Sequence, residues 1–221
     1  MKTTLLVTAL TLGTGIAYAD DSLSLNDNSS SFDHDVKPLS NAIEIGLNGG
    51  YAQGAGPVGN DMSHLNAISG AGGQVELSAA YRINPWVSVG LYGNLATFTN
   101  SKDDPNDNVY GAGAGIIATA HIRPAHSIDP WVSVSGGWKG LWLDHDQGKT
   151  TSFQGFDLAR LQLGVDYRIT REVAIAPMIG GSLAMYVSQD GPMTTSYDEI
   201  QNKKVNFTGF AGLQGRFGIG L

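Results

Sequence analysis

Residues 73–82 read GQVELSAAYR, a stretch in which two faces of different chemistry alternate along the chain. One face carries Val75, Leu77, Ala79 and Tyr81, and the other carries Gln74, Glu76, Ser78, Ala80 and Arg82. Successive side chains of a β-strand point to opposite faces of its sheet. The stretch therefore predicts a β-strand with one apolar face and one mostly polar face.

The same alternation recurs along the chain and predicts eight strands. Their expected bounds are 42–52, 73–82, 86–98, 109–123, 131–143, 156–169, 172–187 and 205–221. The motif PWVSV at 85–89 returns at 130–134, which indicates a repeating hairpin unit. Blade-like repeats of a propeller are the alternative, but a blade holds four strands and each unit here holds two. Pro177 has no N–H donor in the middle of its strand, so we expect a bulge there.

The connections between these strands alternate in length. The turns after the second, fourth and sixth strands are short, whereas the other connections are long and polar. The long connections are 53–72, 99–108, 144–155 and 188–204. A meander with short turns at one end and long loops at the other is typical of outer-membrane β-barrels.

The N-terminal region divides into two further segments. Residues 1–19 have the features of a secretory signal peptide: Lys2, a short apolar stretch and an Ala-Tyr-Ala cleavage site at 17–19. The alternative is a membrane anchor, but the apolar stretch is shorter than the roughly 20 residues that a spanning helix needs. Residues 20–40 are acidic and poor in apolar side chains, so we expect a flexible periplasmic tail. The barrel then occupies 41–221.

Composition excludes several classes of function. The 221 residues include 13 Lys and Arg against 20 Asp and Glu, a net charge of -7 that disfavours a nucleic-acid partner. The chain has no cysteine, which excludes disulfides and thiolate chemistry. Asp144, His145 and Asp146 are adjacent on one loop and cannot fix a coordination geometry by themselves, so we interpret them as solvated charge. We expect no metal site and no cofactor.

Three features predict that the apolar face contacts lipid and the polar face lines a lumen. The strands run about ten residues or more, whereas strands of soluble proteins cluster near 5–6. The polar face is rich in small and hydroxyl side chains, as a narrow lumen requires. The aromatic residues of the apolar face lie at strand ends, where two interface girdles would form: Tyr51, Tyr81, Tyr110, Trp142, Tyr167, Phe207 and Phe217. An eight-stranded ribbon in lipid must close to pair its edges, so we predict an all-β, antiparallel, up-and-down transmembrane barrel.

With these features the chain resembles the small eight-stranded outer-membrane barrels, the class of the OmpA transmembrane domain, OmpX and OmpW. The C-terminal stretch LQGRFGIGL at 213–221 is similar to the signal that the barrel-assembly machinery reads, although Leu221 stands where the family usually has Phe or Trp. The resemblance implies a bacterial outer-membrane location and contact with outer-membrane lipid and lipopolysaccharide. An even number of strands places both termini in the periplasm and the long loops outside the cell.

Nine charged residues fall on the lumen side of the predicted strands. They are Glu44, Glu76, Arg82, Arg123, Lys139, Arg160, Asp166, Arg168 and Arg216. They could form a selectivity lining or a charge-paired plug. We favour the plug, because eight strands leave an interior barely wider than its side chains. Glu76 and Arg160 could meet across this lumen, with Lys139 as a competing partner.

Three functional hypotheses follow. The leading one is a structural or surface-contact barrel that acts through its external loops. The second is a narrow passive channel, with water-filled gaps beside the inner-face glycines Gly111, Gly113, Gly115, Gly180 and Gly212. The third is a lipid-modifying enzyme. The pair His126-Ser127 lies in a turn and not on a lipid-facing strand, so we predict no catalytic site.

Overall fold

The computed structural model describes residues 35–58, 65, 70–99, 108–145, 149–191, 198–200 and 202–221. The predicted signal peptide at 1–19, most of the 20–40 tail and parts of all four long connections lie outside these residues. Within them, no helix is long and apolar enough to cross a membrane. The strands are β1 Ala42–Ala55, β2 Ala71–Asn84, β3 Val87–Phe98, β4 Asn108–His121, β5 Ile128–His145, β6 Lys149–Arg168, β7 Val173–Asp190, β8 Asp198–Glu199 and β9 Val205–Gly220.

Eight of these strands, β1–β7 and β9, form a closed antiparallel barrel. Each pairs with the next along the chain, and β9 pairs with both β7 and β1. Ile45, for example, lies opposite Phe217 on β9 and opposite Ala79 on β2. β8 adds only two residues beside β7. The predicted fold class is therefore confirmed, and closure leaves no unpaired sheet edge around the barrel.

The two faces of the strands differ as the alternation predicts. On β2, Leu77 is 57% exposed, whereas Glu76 and Arg82 on the opposite face are 2% and 1% exposed. Six of the seven predicted interface aromatics have exposed side chains, and the seventh, Trp142, is half-buried against Trp138 with ring centroids 5.9 Å apart. The outside of the barrel is thus an apolar surface, which is the surface that a bilayer requires.

We call the end with the short connections 85–86, 122–127 and 169–172 the turn end, and the opposite end the loop end. Residues 35–41 pack against the turn end. Val36 donates its N–H to the Ala125 carbonyl at 3.0 Å, and Asn41 donates to the Arg82 carbonyl at 3.0 Å. Leu39 lies beside Gly218 on β9. The last residues of the predicted tail therefore contact the barrel.

One predicted loop is mostly strand. β5 continues to His145 and β6 begins at Lys149, so the expected loop 144–155 is wrong for all but residues 146–148, which lie outside the described residues. A bulge between Asp157 and Ala159 reverses the side-chain alternation, because two residues of β6 there take the place of one. Upstream of the bulge the side chains still alternate, but the inward positions no longer follow the two-residue spacing that starts from Arg160. The sequence pattern therefore did not reveal this part of β6.

The expected bulge at Pro177 is also wrong. Pro177 pairs with Leu213 in a continuous register with β9. Its carbonyl oxygen points toward Gly164 on β6, so the missing N–H also falls on that side. β7 therefore tolerates proline by losing a hydrogen bond to β6 and keeps its register.

Candidate functional site

The described residues of the lumen include two networks of charged side chains and, nearest the loop end, an apolar cluster. We call the first the turn-side network. Its members are Glu44, Arg82, His121, Asp129, Asp166, Arg168 and Arg216, all buried except Glu44, which is partly exposed. They come from β1, β2, β4, β5, β6 and β9, so the network joins six strands.

Three ion pairs balance the charges of this network. They are Arg82–Glu44 at 2.7 Å, Arg168–Asp129 at 2.8 Å and Arg216–Asp166 at 2.9 Å. Arg216 also lies over the ring of Trp131, 4.4 Å from its centroid. Because each guanidinium has a carboxylate, the network avoids the large cost of an unpaired buried charge.

His121 lies at the centre of the turn-side network. Its Nδ1 is 2.7 Å from Asp129 Oδ2. Its Nε2 is 2.9 Å from Arg82 Nη2 and 3.3 Å from Arg216 Nη1. A single ring thereby connects β4 to β2, β5 and β9.

His121, Asp129 and Asp166 lie close enough together to suggest a metal site, since their ligand atoms are within 4.8 Å of one another. Three guanidinium groups, however, already contact these same side chains. A divalent cation would have to enter beside three fixed positive charges. The donor set therefore fits arginine pairing and not a metal ion.

The second group, the central network, lies next along the lumen toward the loop end. Arg160 Nη2 donates to Glu76 Oε2 at 2.6 Å, which is the contact expected from the sequence. Asn48 and Gln162 donate to the other oxygen of Glu76 at 3.0 and 2.9 Å. The guanidinium of Arg160 lies 4.0 Å from the ring centroid of Phe210. Every oxygen of this buried carboxylate is therefore hydrogen-bonded.

Lys139 belongs to the central network but does not compete for Glu76. Its ammonium donates to Ser182 Oγ at 3.3 Å and to Thr208 Oγ1 at 3.0 Å. Ser182 in turn donates to Asp157 Oδ1 at 2.7 Å. The Ser182 hydroxyl thus links the ammonium to a carboxylate.

The third group, the loop-side cluster, is apolar. Its members are Val58, Leu65, Val109, Leu141, Leu143, Phe153, Tyr186 and Ile200, with Phe98 packed against them. Val58, Leu65 and Ile200 lie outside the barrel strands, so parts of two loop-end connections cover this end of the lumen. Burial of these apolar side chains disfavours water at this end of the lumen.

Two solved structures share this architecture. The crystal structure of Neisserial surface protein A matches with a TM-score of 0.54 and 13% identity, covering 79% of this chain and 96% of that one. The solid-state NMR structure of outer membrane protein AlkL in lipid bilayers matches with a TM-score of 0.54 and 12% identity, covering 89% and 98%. No protein-family model and no curated protein matches the chain.

The chain has the fold of the small eight-stranded outer-membrane β-barrels. Within this barrel, eight of the nine predicted lumen charges lie in the two networks. The exception is Arg123, whose assignment to the lumen is wrong. β4 ends at His121, so the alternation does not extend to Arg123, which is exposed in the following turn. Its backbone N–H donates to Asp129 Oδ1 at 2.9 Å.

Sequence reasoning missed His121, Asp129 and Asp157 as members of the networks. His121 lies on the lumen face of β4, but it was not included because histidine carries no fixed charge. Asp129 precedes the predicted start of the fifth strand, whereas the observed β5 begins at Ile128. Asp157 points inward only because of the bulge beside it.

The loop-side cluster was missed because its apolar side chains were assigned to neither face of the predicted strands. Leu141 and Leu143 lie two and four residues after Lys139, so they point into the lumen on the same face of β5. This spacing could have predicted their position. The triplet 144–146, interpreted from the sequence as solvated charge, is only partly described: Asp144 is exposed and accepts a hydrogen bond from Thr150 at 3.2 Å, and residue 146 lies outside the described residues.

Little free volume remains between these groups. Among the described residues, three cavities inside the barrel have volumes of about 30, 20 and 10 Å³. A cavity needs roughly 10–15 Å³ to hold one water molecule, so they hold a few waters at most. Gly180 does not create a water-filled gap, because the ring of Phe210 occupies the space beside it. Gly164 makes room for Trp131 in the same way.

Proposed function

We propose that the protein is an integral outer-membrane barrel with a closed lumen, which acts as a structural element and contacts partners through its external loops. The observation that carries this proposal is the filling of the lumen at three levels. The turn-side and central networks together hold five carboxylates, from Glu44, Glu76, Asp129, Asp157 and Asp166. They also hold five cationic groups, from Arg82, Lys139, Arg160, Arg168 and Arg216. Such a balanced interior leaves the outer surface and the loops as the regions available for contact.

We place the barrel in the bacterial outer membrane, with both termini in the periplasm and the long loops outside the cell. The exposed apolar surface supports a position in lipid, since a soluble protein rarely exposes contiguous apolar patches above a few hundred Å². Strand number supports the orientation: with eight barrel strands, the start of β1 and the end of β9 lie at the turn end. In this class the short turns face the periplasm.

The proposed partners follow from the surface. Leu213, Phe217 and Ile219 of β9 all point outward and are more than half exposed. This alternate apolar pattern on the strand that closes the barrel suits recognition by the barrel-assembly machinery. The two groups of outward aromatic side chains suit contact with lipid and lipopolysaccharide at the membrane interfaces. Nucleic acid has no place in this proposal.

A narrow passive channel remains the alternative function. It would require water to connect the small cavities past two sets of ion pairs. The proposal includes no catalytic step. Ser127, the hydroxyl considered from the sequence, is fully buried in the turn between β4 and β5 and does not face lipid.

The test is single-channel recording of the purified barrel in a planar bilayer. We expect no stable conductance near neutral pH, because the Glu76–Arg160 pair and the loop-side cluster both block the lumen. A steady, ion-selective conductance of the native barrel would establish the channel in place of the closed barrel. Mass spectrometry of lipid A from cells with and without the protein tests the enzymatic alternative, and we expect identical spectra.

A further inference from the structure

The imidazole of His121 has an unusual set of neighbours. Its Nε2 faces Arg82 at 2.9 Å and Arg216 at 3.3 Å, while its Nδ1 faces Asp129 at 2.7 Å. A guanidinium group can only donate hydrogen bonds, so Nε2 must accept them and carries no proton. Nδ1 carries the proton and donates it to the carboxylate. The neighbours therefore select one neutral tautomer of this ring.

We propose that His121 is an acid-sensitive latch, which holds the turn-side network together while the ring is neutral and releases it when Nε2 is protonated. Charged groups from every other strand of the turn-side network surround the ring. They are Glu44 on β1, Arg82 on β2, Asp129 on β5, Asp166 and Arg168 on β6, and Arg216 on β9. Asp166 Oδ2 lies 4.0 Å from Nδ1.

Protonation would turn the only acceptor atom of the ring into a donor. A proton on Nε2 would then face Arg82 and Arg216, which are themselves donors, and both hydrogen bonds would break. The network would also hold four cationic groups against three carboxylates. Like charges at this distance in a buried site repel strongly, so the two guanidiniums must move away from the ring.

The effect of the latch is confined to the turn end. Arg82 and Arg216 keep their carboxylates, Glu44 and Asp166, but β4 loses its side-chain links to β2 and β9. The central network shares no hydrogen bond with His121, so the lumen stays closed at that level. Acid should therefore loosen the turn end and accelerate unfolding without opening a channel. A conductance result against the proposed closed barrel would leave this inference standing.

The first test is the ¹⁵N NMR spectrum of the His121 ring in the folded barrel in lipid nanodiscs. We expect the Nδ1-protonated neutral tautomer near neutral pH. An Nε2-protonated neutral ring, or an imidazolium at this pH, would overturn the proposal, because neither leaves an acceptor for the two guanidiniums. The measurement uses the native chain and does not depend on the folding of a variant.

The second test compares unfolding rates in urea between about pH 8 and about pH 5 for the native barrel and for His121→Gln. A glutamine carbonyl can accept from a guanidinium but does not titrate. We expect the native rate to rise by at least about tenfold across this range and the variant rate to change within about twofold. Carboxylates that titrate in both proteins cancel in the comparison.

His126→Gln is the matched control, since His126 lies in the turn after β4, outside the network. We expect it to retain the full acid response of the native barrel. Equal acid responses of the native barrel and His121→Gln would overturn the latch. So would loss of the response in His126→Gln alone.

Discussion

Glu76 on β2 and Arg160 on β6 meet across the lumen, with 2.6 Å between Oε2 and Nη2 and side chains that are 1% and 3% exposed. The two residues are 84 positions apart in the chain. Asn48 and Gln162 donate hydrogen bonds to the other carboxylate oxygen of Glu76. The rings of Phe210 and Tyr92 flank the guanidinium of Arg160. The pair is thus fully enclosed, and removal of either member leaves the other as an unpaired buried charge.

Substitution of this pair should be strongly non-additive. We expect Glu76→Ala or Arg160→Ala alone to lower the free energy of unfolding by about 3–5 kcal/mol, and the double variant to recover part of that loss. Urea titrations of the native barrel, the two single variants and the double variant give the four unfolding free energies of this double-mutant cycle. The exposed pair Lys203–Glu199 provides the control, and its removal should have little effect because solvent screens it. Strictly additive losses at Glu76 and Arg160 would show that the two charges are not coupled.

The absence of a side chain at Gly180 should be necessary for the packing of the central network. A Cβ at this position would lie 2.4 Å from the ring of Phe210, which stacks on Arg160, and 2.6 Å from the Leu161 carbonyl oxygen. We expect Gly180→Ala to cost about 1–3 kcal/mol of unfolding free energy, as overpacking of a dense interior does. Gly111→Ala is the matched control on the same inner face, where the nearest neighbour of a Cβ is 3.4 Å away. We expect its cost to stay within about 0.5 kcal/mol, and equal costs at the two positions would contradict this account of the inner-face glycines.

The closed hydrogen-bond ladder should make the barrel resistant to detergent. We expect the protein to fractionate with outer membranes and to migrate faster on detergent gels when the sample is not boiled. Closure explains this behaviour, because β9 pairs with β1 along nearly its whole length and leaves no edge at which unfolding can begin. Recovery as a soluble periplasmic protein would remove the basis for a membrane barrel.

Epitope tags should report the orientation of the barrel. We expect tags inserted near Asp61, Asp104, Gly148 and Gly191 to bind antibody on intact cells, because these positions all belong to loop-end connections. A tag within 20–40 should bind only after the outer membrane is permeabilised, since that segment leads into the turn end. The opposite pattern of accessibility would mean that the turn end faces outward.

The register between strands determines which side chains meet inside the barrel. Local sequence predicts which side chains point inward only where the alternation is unbroken. Glu76 and Arg160 could be predicted as partners because each lies in a regular run on its own strand. Asp157 could not, because the bulge beside it reverses the inward and outward faces of β6 within two residues. Leu141 and Leu143 share the inward position of Lys139 along β5, so the alternation could have placed them in the lumen.

The sequence by itself determined the number of barrel strands, their antiparallel order and the face that each unbroken run of alternation turns outward. These properties follow from a period of two and from loop length, both of which are local. Only the tertiary structure decided that His121 contacts Asp129, Arg82 and Arg216, and that apolar residues fill the loop end of the lumen. The physical reason is that a narrow barrel brings together side chains from strands that are not neighbours in the sheet. Which of them meet depends on the register and bulges of every strand between them.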